Sequence, residues 1–203
     1  MRRFGKALGR LIVVIFALLA GIWAFAPEEP VDRVVSFDAN VLTDDLSDFL
    51  AQRELQFSDI RPEAAKRIVW AGAPGQKTPL AVIYVHGFSA SAEEIRPVPD
   101  EVAKALGANL FYTRLAGHGR SGDAMAEPRA GDWIEDMAEA MAIGRSLGDR
   151  VVVIATSTGG TLAAITATDP VLSEGLAGVV LVSPNFGVKS AAAKILDLPL
   201  ARH

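Results

Sequence analysis

The sequence contains no cysteine. That absence excludes a disulfide scaffold, a thiolate zinc site, a cysteine nucleophile and a lipidated-cysteine anchor. Histidine is scarce, three in 203 residues, and there is no dense Asp/Glu cluster, so no metal site is implied. Basic residues do not outnumber acidic ones: 20 Lys and Arg stand against 24 Asp and Glu, a net charge of −4. A nucleic-acid binder needs a basic footprint, so that partner class is set aside. Internal repeats and low-complexity stretches are also missing. What is present is half hydrophobic and 22% charged, with a mean hydropathy of +0.28, which excludes a disordered chain. At 21.5 kDa the length suits one domain with a sizeable core and is short for two.

Residues 1–26 read as a segment apart. Arg2, Arg3, Lys6 and Arg10 come first with no acid among them, and residues 11–26 (LIVVIFALLAGIWAFA) then run without a charge. A basic flank before an apolar run predicts a targeting segment with its N-terminus in the cytoplasm. Two readings stay open. In one, residues 8–26 form an uncleaved membrane anchor, with Leu8 and Gly9 recruited past a snorkelling Arg10. In the other, a signal peptide is cut after the small residues Ala24 and Ala26, although Pro27 fits poorly just after such a cut. Either way the rest is expected outside the cytoplasm, tethered or secreted. Without those four cations the remainder holds 16 basic and 24 acidic residues.

Residues 27–42, Pro- and acid-rich at their start, read as a linker, and 43–203 as the domain. Thr43, Asp44 and Asp45 precede a helix with Leu46, Phe49 and Leu50 on one face. Apolar runs at 80–85 (LAVIYV) and 151–155 (VVVIA) are strands of the type buried on both faces of a parallel sheet. Further strands are expected at 67–71, 109–112 and 176–182. Helices are expected at 100–106, 133–147 (capped by Asp132) and 162–168. Strand–helix alternation with short connections implies a mostly parallel α/β sheet with helices on both faces. In such sheets ligands meet the carboxyl ends of the strands.

One of those ends is distinctive. The segment VVVIA-TSTGG-TLAAITA puts Ser157 in the tight turn between a buried strand and a helix, with Ala155 two residues before and Gly159 two after. That pattern fits a nucleophile elbow, whose strained serine projects at a helix N-terminus and whose flanks must be small. A helix-capping serine and an anion cradle built on Thr156, Ser157, Thr158 and Gly159 are the competing readings. The cradle lacks the Lys of a Walker loop.

Four motifs together resemble the α/β-hydrolase family, in particular its serine-hydrolase branch of monoacylglycerol lipases, carboxylesterases and serine aminopeptidase-like proteins. They are His86-Gly87-Phe88, Leu115-Ala116-Gly117-His118-Gly119-Arg120-Ser121-Gly122, Asp132-Trp133, and Ser157 with its flanks, covering roughly residues 65–185. The resemblance departs at Ala155, where the family pattern has Gly. It implies that Ser157 is the nucleophile of an ester hydrolase, that the Phe88 and Thr158 backbone N–H groups form an oxyanion hole, and that no cofactor is used. It implies that His86, Gly87, Gly159 and His118 support the loops, and that His86 is not the general base.

A triad in this fold runs Ser, then acid, then His. Only 46 residues follow Ser157. Among them Asp169 reads as a turn residue, Asp197 as part of a loop, and His203, the last residue, has nothing to fix its ring. No triad acid or histidine is therefore identified. The chain reads as the N-terminal two-thirds of a hydrolase, ending as the lid begins, and weak or inactive by itself. Its expected substrate is a small or lipid-like carboxylic ester. A non-catalytic binding protein with the same pocket is the alternative. Oligomeric state is not indicated.

Overall fold

The computed structural model describes residues 2–25 and 31–187. Two units are described separately. The first includes helix α1 (Arg2–Phe25). Four cations fall within the first nine positions of α1, so its uncharged part is 15 residues, about 22 Å at 1.5 Å per residue against a hydrocarbon core of about 30 Å. Among the described residues no helix is long and apolar enough to cross a membrane. The span expected at 8–26 is therefore not supported, and the cleavage-site residue Ala26 lies outside the described residues, as do 27–30 at the start of the expected linker.

The second unit runs from Val31 to Phe186. Its sheet comprises β1 (Arg67–Val69), β2 (Thr78–Val85), β3 (Asn109–Tyr112), β4 (Gly148–Thr156) and β5 (Leu176–Val182). Their spatial order is β1-β3-β2-β4-β5, parallel except for β1, which pairs antiparallel with β3. The helices are α2 (Leu46–Glu54), α3 (Val98–Leu106), α4 (Ala130–Leu147) and α5 (Thr158–Thr168).

Side-chain alternation along β2 builds a core on each face. Ala81, Ile83 and Val85 join Val151, Val153 and Ala155 of β4 beneath α2, α4 and α5. Val82 and Tyr84 join Leu110, Tyr112 and Ile154 beneath α3. Both faces of these strands are dry, which is why their sequences are continuous apolar runs.

Local caps explain the helix boundaries. The Asp45 carboxylate accepts the Asp48 N–H to start α2, and Gly107, in the left-handed region at φ 60°, ends α3. Helix α4 begins three residues before the expected start. Asp132 is not its N-cap but its third residue, accepting the Arg129 N–H at 2.7 Å in a capping box. Residues 31–42 lie against the domain: Val35, Phe37 and Leu42 pack on the core, and the Ser36 N–H donates to Glu135.

The chain leaves β2 towards β3 on one side and reaches β4 on the other, so the order of travel reverses between β2 and β4. A crevice opens at their carboxyl ends, where an open α/β sheet places its site.

Candidate active site

The register pairs Val85 with Ala155, so two residues further Gly87 and Ser157 face each other across the crevice. A Cβ built on Gly87 would lie 3.2 Å from the Ser157 Cβ. Ser157 has φ 49° and ψ −114°, a sparsely populated conformation for a residue with a side chain and one that stores strain. Main-chain bonds on both sides hold it there. Its N–H donates to the Val182 carbonyl at 3.0 Å, and its own carbonyl accepts from Thr161 at 3.2 Å and Asn185 at 3.0 Å. The Ser157 hydroxyl has no hydrogen-bond partner among the described residues, and the side chain is half-buried.

The small flanks have identifiable neighbours. A Cβ on Gly159 would come within 2.5 Å of the Val85 carbonyl oxygen and 2.6 Å of the His86 carbonyl oxygen, and one on Gly160 within 2.9 Å of Pro184. Ala155 is fully buried in the sheet. The bend therefore forms only with small residues around the serine.

Neither the Phe88 N–H nor the Thr158 N–H has a hydrogen-bond partner among the described residues. Thr158 is the first residue of α5, where the helix leaves N–H groups unpaired and the dipole favours negative charge. Thr158 follows Ser157 in the elbow, and Phe88 follows Gly87, the residue that faces Ser157 across the crevice.

The histidines are committed elsewhere. His86 is fully buried; its Nδ1–H donates to the Gly87 carbonyl at 2.8 Å, and its Nε2 accepts the Leu115 N–H at 3.1 Å. Burial pushes its pKa down to about 4, so it is neutral at pH 7. His118 donates from Nδ1 to the Ala116 carbonyl at 3.0 Å and accepts the Ser89 N–H at Nε2, 3.1 Å. Burial lowers its pKa also. The two rings lie 4.8 Å apart, and Phe88 and Trp133 pack edge-on against His118. Trp133 donates its indole N–H to the same Ala116 carbonyl. Together these residues fix the two loops beside the serine and leave neither imidazole a free nitrogen.

The chain after α5 supplies no acid–base pair among the described residues. The Asp169 carboxylate accepts the Val171 and Leu172 N–H groups, closing a turn. Asp197 and His203 lie outside the described residues. No group of three or more His, Asp or Glu is arranged to hold a metal ion among the described residues.

Glu94 carries no signature in the sequence. Its Oε2 accepts the Gly87 N–H at 2.8 Å and the Tyr84 hydroxyl at 2.9 Å. Nothing in the string Ala92-Glu93-Glu94 distinguishes it from its neighbour, which pairs instead with Arg67 and Arg96. The buried ionic cluster beside the His118 loop is equally unmarked in the sequence. Glu54 grips Arg114, Glu139 grips Lys66 and Arg53, and Asp136 accepts the Ala116 N–H at 2.6 Å. Burial raises the Asp136 pKa to about 6. A cavity of about 300 Å³ is lined in part by Arg53, Lys66, Arg114 and Arg120. Each of these cations is already paired with a carboxylate, and Ser157 is not among the lining residues.

A strained serine at a strand–helix bend over a mostly parallel sheet, beside an oxyanion-type loop, defines a fold of the α/β-hydrolase class. Residues 76–202 match the family described as Serine aminopeptidase, S33, and the chain belongs to that family. It is 32% identical over 84 residues to a thermostable monoacylglycerol lipase of Bacillus sp. (strain H-257), over 41% of this chain and 33% of that protein. Among solved structures, that of a lipolytic enzyme described with "LipS and LipT, two metagenome-derived lipolytic enzymes" is 26% identical with a TM-score of 0.58. That similarity covers 68% of this chain and 52% of the other. The chain thus spans about a third of the curated relative and about half of the solved structure.

Proposed function

We propose that this chain carries the nucleophilic half of a serine hydrolase that cleaves a carboxylic ester through an acyl-Ser157 intermediate. One observation carries the reading: Ser157 is held in a strained bend with no partner for its hydroxyl among the described residues, Gly87 faces it across the crevice, and the Phe88 and Thr158 N–H groups have no other partner among the described residues. The Ser157 oxygen attacks the ester carbonyl carbon. Negative charge moves onto the carbonyl oxygen and is met by the Phe88 and Thr158 N–H groups, a contribution on the order of 100-fold or more per donor. The C–O bond to the alcohol breaks, the alcohol leaves with a proton, and water then hydrolyses the acyl-serine.

The proton must pass to a histidine that is neither His86 nor His118, so the base lies outside the described residues. The lipolytic relatives favour a lipid-like or small acyl ester as substrate. The basic flank and apolar run of residues 1–26 favour an exported chain held at a membrane or released from it, which fractionation of cells with carbonate and detergent would distinguish.

The test is to incubate the 203-residue chain with p-nitrophenyl butyrate, following nitrophenolate release alongside intact mass. Slow release with an accumulating acyl adduct, both absent in Ser157→Ala, supports the reading. Equal release from Ser157→Ala contradicts it. Binding of the ester with neither release nor adduct favours a non-catalytic binding protein, a reading motivated by the engaged state of both described loop histidines.

A further inference from the structure

Resting on the reading of Ser157 just given, we propose that Glu94 is a positioning residue that sets the gap between the two loops bearing the Phe88 and Thr158 amides. A single polar relay joins those loops. The Thr156 hydroxyl donates to the Tyr84 oxygen at 3.1 Å, the Tyr84 hydroxyl donates to Glu94 Oε2 at 2.9 Å, and the Gly87 N–H donates to the same oxygen at 2.8 Å. An ionised carboxylate only accepts and a tyrosine has one proton to give, which fixes the direction of each bond.

Both ends of the relay touch the site. Thr156 immediately precedes Ser157 and is two residues from the Thr158 amide. Gly87 immediately precedes Phe88. Tyr84 is fully buried between them in the core of β2, so the relay cannot slide. At the Gly87 end the amide is buried while Phe88, one residue on, is exposed. With its N–H committed to Glu94, the loop keeps the turn in which the next N–H, that of Phe88, lies unpaired one residue beyond the glycine that faces Ser157. The small Gly87 leaves room for that bond. A Cβ there would sit 2.9 Å from Glu94 Oε1 as well as 3.2 Å from the Ser157 Cβ, so the carboxylate would have to shift. The shared oxygen is a charge-assisted acceptor for both donors, stronger than a water would be.

The test compares Glu94→Ala, Glu94→Gln and Tyr84→Phe in the 203-residue chain by two readouts. Amide hydrogen exchange at Gly87 reports the relay without reference to chemistry. In Glu94→Ala it should quicken by about 100-fold or more, in Glu94→Gln by no more than about fivefold because the amide oxygen still accepts, with Tyr84→Phe between. Hydrolysis of p-nitrophenyl butyrate reports positioning. In Glu94→Ala kcat should fall about 10- to 100-fold with KM within about twofold, and Glu94→Gln should restore most of it. Unchanged Gly87 exchange in a folded Glu94→Ala overturns the proposal, as does a Glu94→Gln variant no better than Glu94→Ala. If Glu94→Ala does not fold, unchanged Gly87 exchange and kcat in Tyr84→Phe overturn it. The two readings fail separately. Ser157-independent hydrolysis with the expected exchange pattern sinks the hydrolase reading and leaves the relay standing. Ser157-dependent hydrolysis that ignores Glu94 does the reverse.

Discussion

Replacing Gly159 by Ala tests whether the elbow depends on close backbone approach. By helix propensity alone the change should help, since Gly159 lies in the first turn of α5 and Ala is favoured over Gly by about 1 kcal/mol in a helix. The surroundings say otherwise. The new Cβ would meet two carbonyl oxygens, at 2.5 and 2.6 Å, where ordinary contact begins near 3.4 Å. Both oxygens belong to the end of β2 and the residue after it, and β2 is bonded to a strand on each side. Relief therefore requires β2 and α5 to part by about 0.9 Å. Overpacking of this kind costs about 1–3 kcal/mol, sometimes more, and two backbone clashes place this case at about 3 kcal/mol. For a domain of this size each kcal/mol lowers Tm by about 2–4 °C, giving a fall of about 6–12 °C in a circular-dichroism melt. Gly178→Ala in β5 is the control, because nothing lies within 4 Å of its built Cβ, and it should lose no stability. If the two variants melt alike, the argument that the loop after β2 abuts the elbow is wrong.

Three further outcomes follow from the buried titratable and charged groups. Glu54→Ala strands Arg114, only 5% exposed, and should cost about 3 kcal/mol in urea unfolding, while Glu54→Leu/Arg114→Met should recover at least half of it. Asp136 holds its proton more tightly folded than unfolded, so wild-type stability gains from this group as pH falls from about 6 towards 4. Asp136→Asn keeps an acceptor for the Ala116 N–H without the buried charge. It should be more stable than wild type at pH 7.5, by a margin that shrinks about 1–2 kcal/mol by pH 5; a constant margin would refute the titration. His86, with its pKa pushed down to about 4, resists protonation when folded. Nitrogen-15 spectra at pH 5.5 should show it neutral with the proton on Nδ1, and an imidazolium there would contradict the bonding described. Its linkage runs opposite to that of Asp136: the stability it contributes is lost as pH falls from about 6.5 to 4.

The strands with long apolar runs were legible because burial on both faces removes every polar alternation: the runs of β2 and β4 stand out, and Asn109–Tyr112 and Leu176–Val182 match residue for residue. The elbow was legible for a related reason, since a serine flanked by Ala155 and Gly159 after such a run states a steric requirement in residue size. What escaped was everything decided across the chain. Glu94 and Glu93 are adjacent acids with opposite fates, one drawn inward by Tyr84 and Gly87 and the other held outward by arginines. Glu54 and Arg114 are 60 positions apart, and no local pattern marks them as a pair. The start of α4 moved because Asp132 completes a capping box from inside the helix, which a search for a capping residue at its edge assigns one turn late. The apolar run of α1 was legible as composition, but the helix that carries it begins among its cations.

The most direct measurement is peptide mapping by mass spectrometry after prolonged exposure of the purified chain to a fluorophosphonate. A single phosphonyl adduct on Ser157, missing from Ser157→Ala and not found on Ser89 or Ser183, is the predicted result. Modification spread over several serines, or the same labelling in wild type and Ser157→Ala, would contradict the assignment.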